Sequence, residues 1–103
     1  MEITLYHKHY DQNHLDKVTA EMQELGAPAI RAIWSEVYGT WMAVEGCHRL
    51  RAAETLGLTP EIIDIGTDET STHQIDGSDE TVNVIDLLEE LQDAAWQSVT
   101  LEF

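Results

Sequence analysis

The sequence predicts a single small α+β domain with a mixed sheet. Residues 40–44 and 62–65 have the apolar content of strands, and residues 47–56 have the pattern of a helix that Gly57 closes. A strand, a helix and a strand in this order favour a sheet with helices packed on it. A length of 103 residues with 43% hydrophobic content is enough for one core, so we expect residues 1–103 to form one domain.

The first quarter of the chain predicts a strand and a helix. Ile3 and Leu5 alternate with polar residues, which is typical of a short edge strand. Asn13 can cap the helix that follows, and Gly26 with Pro28 ends it. The apolar face of this helix is predicted to contain Leu15, Val18, Met22 and Leu25.

A β-hairpin is predicted next. Residues 29–35 and 40–44 have the composition of its two strands, separated by a short turn. Trp34 and Trp41 lie in these strands, where we expect them to be core residues or cross-strand partners. The second strand of the hairpin therefore leads into the loop at Gly46.

The remainder of the chain is more polar. Residues 66–79 consist largely of Asp, Glu, Thr, Ser and Gly, which predicts an acidic loop or a frayed hairpin. Ser78 or Asp79 can cap the final helix. The apolar face of that helix is predicted to contain Val82, Ile85, Leu88 and Leu91. Alternation then predicts a closing strand with Val99, Leu101 and Phe103 on one face.

The charge is strongly acidic. Five Lys and Arg stand against 20 Asp and Glu, and the formal net charge is −15. A protein that binds a nucleic-acid backbone needs clustered cations, so direct nucleic-acid binding is not expected. The acidity has two remaining interpretations, which are solubility in a salty cytoplasm or a surface that engages a basic protein partner.

Cysteine content and hydropathy bear on location. A single cysteine cannot form an internal disulfide. No apolar stretch approaches the ~20 residues that span a bilayer, and the first residues lack the basic and apolar pattern of a signal peptide. These observations predict a cytoplasmic protein with no membrane partner.

A glycine and several cations mark the start of the helix at residue 47. Gly46 lets a ligand approach the main chain, and the first N–H groups of a helix carry partial positive charge. Arg49 and Arg51 are predicted to lie in the first turn, against the helix dipole, which an anionic ligand would offset. Lys17 is likewise predicted in the first turn of its helix. The pattern indicates a phosphate site.

The run Gly46-Cys47-His48-Arg49 resembles the phosphate loop of the ParB/sulfiredoxin-like superfamily, in the form found in sulfiredoxins. The resemblance covers roughly residues 13–65 and implies an α+β fold with a strand, glycine loop, helix and strand at its phosphate-binding core. It implies that ATP or another nucleotide binds with Mg²⁺. The implied cofactor-binding residues are Gly46, Cys47, His48, Arg49, Arg51 and Lys17.

The resemblance to sulfiredoxins is partial. Ala20 and Glu24 stand where the sulfiredoxin helix supplies hydroxyl groups, so a sulfiredoxin-type reductase is less expected. If the protein is an enzyme, the superfamily resemblance implies nucleotide-dependent phosphoryl transfer or hydrolysis.

Individual roles at this site stay open. Cys47 is either a catalytic nucleophile, whose thiolate the helix N-terminus and His48 stabilise, or a small filler. Glu45 either holds Mg²⁺ or acts as a catalytic base, or it is an ordinary exposed acid. His48 could carry a proton or a phosphoryl group, and Lys17 could be a plain surface lysine. A zinc site is a further, weaker hypothesis for three neighbouring histidines, His7, His9 and His14.

Two functions therefore remain. The first is a nucleotide- or phosphate-binding domain, with or without phosphoryl chemistry. The alternative is a non-catalytic acidic interaction or inhibitor protein, a nucleic-acid mimic that occupies the basic surface of a partner. An acid-free phosphate pocket would favour the first, and regularly spaced exposed carboxylates would favour the second.

Overall fold

The computed structural model describes residues 1–68, 71–74 and 81–103. In these residues the helices are α1 (Gln12–Leu25), α2 (Cys47–Leu56) and α3 (Val84–Ala94), and a short 3₁₀ turn spans Ala95–Gln97. The strands are β1 (Glu2–Thr4), β2 (Ala29–Ser35), β3 (Thr40–Ala43), β4 (Glu61–Asp64), β5 (Thr72–Gln74), β6 (Thr81–Asn83) and β7 (Thr100–Glu102). The α+β class is confirmed.

Five strands form a mixed sheet in the order β4-β2-β3-β1-β7. The pairs β1–β3 and β2–β4 are parallel, and the pairs β2–β3 and β1–β7 are antiparallel. The prediction that β1 is an edge strand is wrong, because β7 covers it. Polar Thr4 suggests exposure in the sequence, but its hydroxyl lies 2.7 Å from the hydroxyl of Thr100, and this hydrogen bond permits burial.

Helices cover both faces of this sheet. On one face, Leu50 of α2 packs with Ile3 and Ile30, and α1 packs on the outer side of α2. On the other face, Leu87 of α3 packs with Ile33 and Met42. Each face of the central strands is therefore buried, which explains why neighbouring residues of β2 are both apolar.

The predicted hairpin is confirmed. The strand β2 has the predicted bounds, and β3 ends one residue earlier than predicted, at Ala43. Trp34 lies opposite Trp41 in the register, with ring centroids 5.4 Å apart and an interplanar angle of 74°. This edge-to-face geometry is favourable for aromatic pairs, so the two side chains are cross-strand partners.

The start of α1 differs from its prediction. The cap is Asp11, whose carboxylate accepts a hydrogen bond of 2.8 Å from the N–H of His14, and Asn13 lies inside the helix. The helix ends at Gly26 as predicted, and Met22 is buried. Leu25, predicted to be on the apolar face, is 83% exposed.

The final helix also begins later than predicted. Asn83 caps it, with its side-chain oxygen accepting from the N–H of Asp86 at 2.9 Å. Ser78 and Asp79, the predicted caps, lie outside the described residues. Of the predicted acidic loop, residues 72–74 form β5, which pairs with β6 as an antiparallel hairpin. The partner strand β6 lies beyond the predicted acidic loop, in a part of the chain that was predicted to be helical.

The buried face of α3 agrees with the predicted one at Leu91 and differs from it at Ile85 and Val82. Val84, Leu87 and Leu91 are buried, whereas Ile85 is 54% exposed and Val82 belongs to β6. Residues 84–91 contain two overlapping apolar rows with helical spacing, and packing on β2 and β3 selects the row at Leu87. The strands β4 and β7 lie within one residue of their predicted positions.

Candidate functional site

The loop after β3 places the start of α2 directly over β2. Gly46 adopts φ +78° in the left-handed region, and a Cβ atom there would lie 2.5 Å from Cδ1 of Ile30. Both the conformation and the contact therefore require glycine. Val44 anchors the loop through its N–H, which donates to the carbonyl of Arg31 at 3.2 Å.

The N-terminus of α2 opens onto a cavity of about 270 Å³. In the described part of the chain, no side chain caps this end of the helix. The cavity is lined by His14, Val18, Gly46, Cys47, His48 and Arg49. Among the residues that the structure describes, none that lines the cavity is acidic, although the chain carries 20 acids. An acid-free cavity at an uncapped helix N-terminus suits an anion, because the partial positive charge of the helix end is not neutralised by a lining carboxylate.

Glu45 is held between two arginines beside this cavity. Its Oε1 accepts from Nη2 of Arg49 at 2.8 Å, and its Oε2 accepts from Nε of Arg31. Burial pushes the pKa of Glu45 upward, but the hydrogen bonds and charges of Arg31 and Arg49 outweigh burial, so the pKa lies below its ordinary value. A role for Glu45 as a Mg²⁺ ligand or base would compete with both arginines.

Arg31 is the site residue that the sequence analysis missed. It lies in β2, 14 residues from Glu45 in the chain, and Nη1 also lies 3.5 Å from Nδ1 of His73. The available signal was a lone arginine in an otherwise apolar strand. His14 and Val18 were not assigned to the site either, although they are one helical turn apart on α1.

His48 connects α2 to the loop before α1. Its Nε2 accepts a hydrogen bond of 3.0 Å from the N–H of Asp11, and its ring lies edge-on to His14, with centroids 4.5 Å apart. Burial, and then the neighbouring His14, lower the pKa of His48 below its ordinary value. The neutral ring accepts at Nε2, so Nδ1 carries the proton and is the donor available to an anion.

Cys47 is buried at the floor of the loop. It is 2% exposed, and its thiol donates a 3.9 Å hydrogen bond to the carbonyl of His7. Burial raises the pKa of Cys47 above its ordinary value, which opposes the stabilisation of its thiolate that the helix N-terminus was expected to provide. Its catalytic role stays a prediction that this setting does not favour.

Arg51 and Lys17 do not line the cavity. Arg51 donates to the carbonyl of Lys8 at 2.9 Å, and its guanidinium lies over Tyr10, 4.4 Å from the ring centroid. Lys17 is exposed in the second turn of α1 rather than the first, because the helix begins at Gln12. Of the predicted binding residues, the structure brings together the four consecutive positions Gly46, Cys47, His48 and Arg49.

The histidine cluster does not assemble a metal site. The rings of His7 and His9 lie 5.8 Å apart, and Nδ1 of His7 accepts from the N–H of His9. Across residues 1–68, 71–74 and 81–103, no three His, Cys, Asp or Glu side chains come together in a metal-binding arrangement. In the same part of the chain, no helix is long and apolar enough to cross a bilayer.

Comparison with known proteins gave no match to a family model, to a curated protein or to a solved structure. The geometry of the site is therefore the basis on which a function is assigned.

Proposed function

We propose that this domain binds the phosphate group of a small ligand, ATP or another nucleotide, in the cavity at the N-terminus of α2. The observation that carries the proposal is the helix end at Gly46, which has no side-chain cap and no acidic lining residue within residues 1–68, 71–74 and 81–103 and which opens onto a cavity. The free N–H groups of the first turn and Nδ1–H of His48 are the donors offered to phosphate oxygens.

Arg49 supplies the positive charge in this proposal. Arg49 and Arg31 both donate hydrogen bonds to the carboxylate of Glu45. Arg49 can therefore turn to a phosphate while Glu45 keeps its hydrogen bond to Arg31. No carboxylate is then left without a partner, and the exchange avoids the cost of an isolated buried charge. Its position favours Arg49 over Arg51, because Arg49 lines the cavity and Arg51 does not.

The proposal extends to a ParB/sulfiredoxin-like origin and to a cytoplasmic protein. The support is the motif Gly46 to Arg49 at a strand-to-helix turn, with β4 following α2. Mg²⁺ would enter with the nucleotide phosphates and reduce their repulsion from the acidic exterior. The setting of Glu45 and Cys47 favours binding over phosphoryl transfer or hydrolysis, because neither group is poised as a base or nucleophile.

A thermal-shift screen tests the site. The ligands are ATP, CTP, GTP and inorganic phosphate, each with and without Mg²⁺, and the variant is Arg49→Gln. The matched control is Lys17→Gln, which removes the same charge from an exposed position outside the cavity. At ten times the dissociation constant a ligand adds ~1.4 kcal/mol, which moves the Tm of a domain this size by roughly 5 °C or more.

We expect at least one ligand to raise the Tm of the wild type and of Lys17→Gln, and Arg49→Gln to lose most of that shift. In an NMR titration with the same ligand, the backbone amides of Cys47, His48 and Arg49 should move most. Equal shifts for both variants, or no shift with any ligand, would overturn the phosphate-site proposal.

A further inference from the structure

A second cavity lies on the opposite side of the sheet, between β2, the segment after β4 and the start of α3. It has a volume of about 250 Å³. Its lining includes Ile33 of β2, Asp64 at the end of β4, and Ile85 and Leu88 of α3. We call it the α3 groove.

The α3 groove exposes large apolar side chains. Ile85 is 54% exposed, while Leu88 is half-buried. Ile33 is buried in the core that α3 covers. Apolar side chains grouped along one concavity are less common on a monomer than scattered ones, and such a group marks a docking surface.

Negative charge surrounds the α3 groove. Asp64 lines it, and Glu89 stands one helical turn after Ile85 on an exposed position of α3. No lysine or arginine follows Arg51 in the chain, so α3 and the segment after β4 carry no Lys or Arg to offset these acids. Of the lining elements only β2 has such a cation, Arg31, and its guanidinium is engaged by Glu45.

An anionic, partly apolar groove selects its partner by charge. Nucleic acids and anionic lipid surfaces are repelled by carboxylates, whereas a basic protein segment is attracted over long range and held by short ion pairs. The apolar floor of the groove adds a second requirement on the partner. Besides positive charge, the partner needs an apolar side chain that can enter between Ile85 and Leu88.

We propose that the α3 groove docks a cationic segment of a partner protein. An apolar side chain of that segment packs on Ile85 and Leu88. Lysine or arginine residues beside it pair with Asp64 and Glu89. This site is separate from the phosphate cavity, because α1 and α2 cover the other face of the sheet.

The test uses a fluorescein-labelled synthetic peptide with two central leucines flanked on each side by a pair of arginines. Binding to the full chain is measured by fluorescence anisotropy at low salt. The variant is Ile85→Ser, and the matched control is Leu25→Ser, an exposed leucine on α1. A second peptide carries serines in place of the two leucines.

We expect the leucine peptide to bind, and Ile85→Ser to weaken it about tenfold while Leu25→Ser leaves it unchanged. The serine peptide should also bind about tenfold more weakly than the leucine peptide. Glu89→Gln should weaken binding by roughly 2- to 3-fold, and the corresponding change on α1, Glu24→Gln, should have a smaller effect.

Three outcomes would overturn the proposal. The first is absence of binding by the leucine peptide. The second is equal binding of the two peptides, which would indicate unspecific charge attraction. The third is an equal loss in Ile85→Ser and Leu25→Ser. Circular dichroism of each variant checks that the fold is retained, which is expected because both residues are exposed.

Discussion

Glu45 is the residue on which the local electrostatics of the first cavity depend. Its side chain is 20% exposed and joins Arg31 of β2 to Arg49 of α2. The loop at Gly46 is thereby fixed to the strand beneath it and to the helix after it. A phosphate ligand would act on this arrangement by drawing Arg49 away from the carboxylate.

Replacing Glu45 by Gln should lower the free energy of unfolding by about 1 kcal/mol near pH 7, because two charged hydrogen bonds lose their acceptor charge. The pKa of Glu45 is lower in the folded state than its ordinary value of 4.5. The contribution of Glu45 to the free energy of unfolding is therefore fully present above pH 4.5. It is lost as the pH falls through the lowered pKa of the folded state.

Urea unfolding at several pH values measures this effect. The difference between wild type and Glu45→Gln should be constant from about pH 7 to 6 and shrink toward about pH 3. Glu54→Gln, at an exposed position of α2, is the control and should change stability by less than about 0.5 kcal/mol. A difference that grows on acidification would contradict the assigned pKa shift.

At the scale of single residues, the sequence predicts contacts between residues that are close together in the chain. Gly46 to Arg49 are consecutive, so one strand-to-helix turn brings them to the cavity without any long-range contact. The pairing of Glu45 with Arg31 depends on strand register, and the engagement of Arg51 by Tyr10 depends on how the loop before α1 folds back. Neither contact leaves a signal in the spacing of charges along the chain.

The helix α3 shows how a single element can have two candidate faces. Leu87 is 0% exposed and Ile85 is 54% exposed, although both are large aliphatic residues in the same turn. The face toward Leu87 packs on the sheet, and the face toward Ile85 opens onto the α3 groove.

Alanine substitutions distinguish these two faces. Leu87→Ala should lower the free energy of unfolding by about 3 kcal/mol, because it leaves a cavity between α3 and the sheet. Ile85→Ala should lower it by less than about 1 kcal/mol, since most of that side chain stays in water. Chemical denaturation of both variants measures the contrast. If the two variants lost similar amounts of unfolding free energy, α3 would have to be rotated about its axis relative to this structure.

The sequence predicts whether a segment is a helix or a strand better than it predicts what surrounds that segment in the fold. The strand β2 and the helix α2 have their predicted bounds, because apolar runs and the glycines at 46 and 57 mark them locally. The caps of α1 and α3 were predicted at wrong residues, since several polar residues precede each helix and tertiary contacts decide among them. The central position of β1 also depends on β7, which is distant in the chain.

The whole molecule carries a net charge of −15 on a compact α+β fold whose Cα radius of gyration is 13.2 Å. Like charges at this density repel one another and oppose the compact state. The structure offsets little of this repulsion, because Arg31 and Arg49 share one carboxylate and Arg51 pairs with a carbonyl and a ring.

Added salt should therefore stabilise the protein. Raising NaCl from about 20 mM to 500 mM should increase the Tm by several degrees, because ions screen the repulsion between surface carboxylates. Scanning calorimetry measures the change. A double variant with Glu90→Lys and Asp93→Lys, both at exposed positions of α3, should show a smaller increase. A Tm that does not rise with salt would contradict net repulsion in the folded state.

The pairing of β1 with β7 has a consequence for synthesis on the ribosome. β1 is made first, and its register places Ile3 opposite Leu101. While β7 is still inside the ribosome, one side of the β1 backbone is unpaired, even after β3 has paired with the other side. The sheet gains β7 only after that strand has left the ribosome, so until then the unpaired side of β1 is open to chaperones and to strand exchange with neighbouring nascent chains.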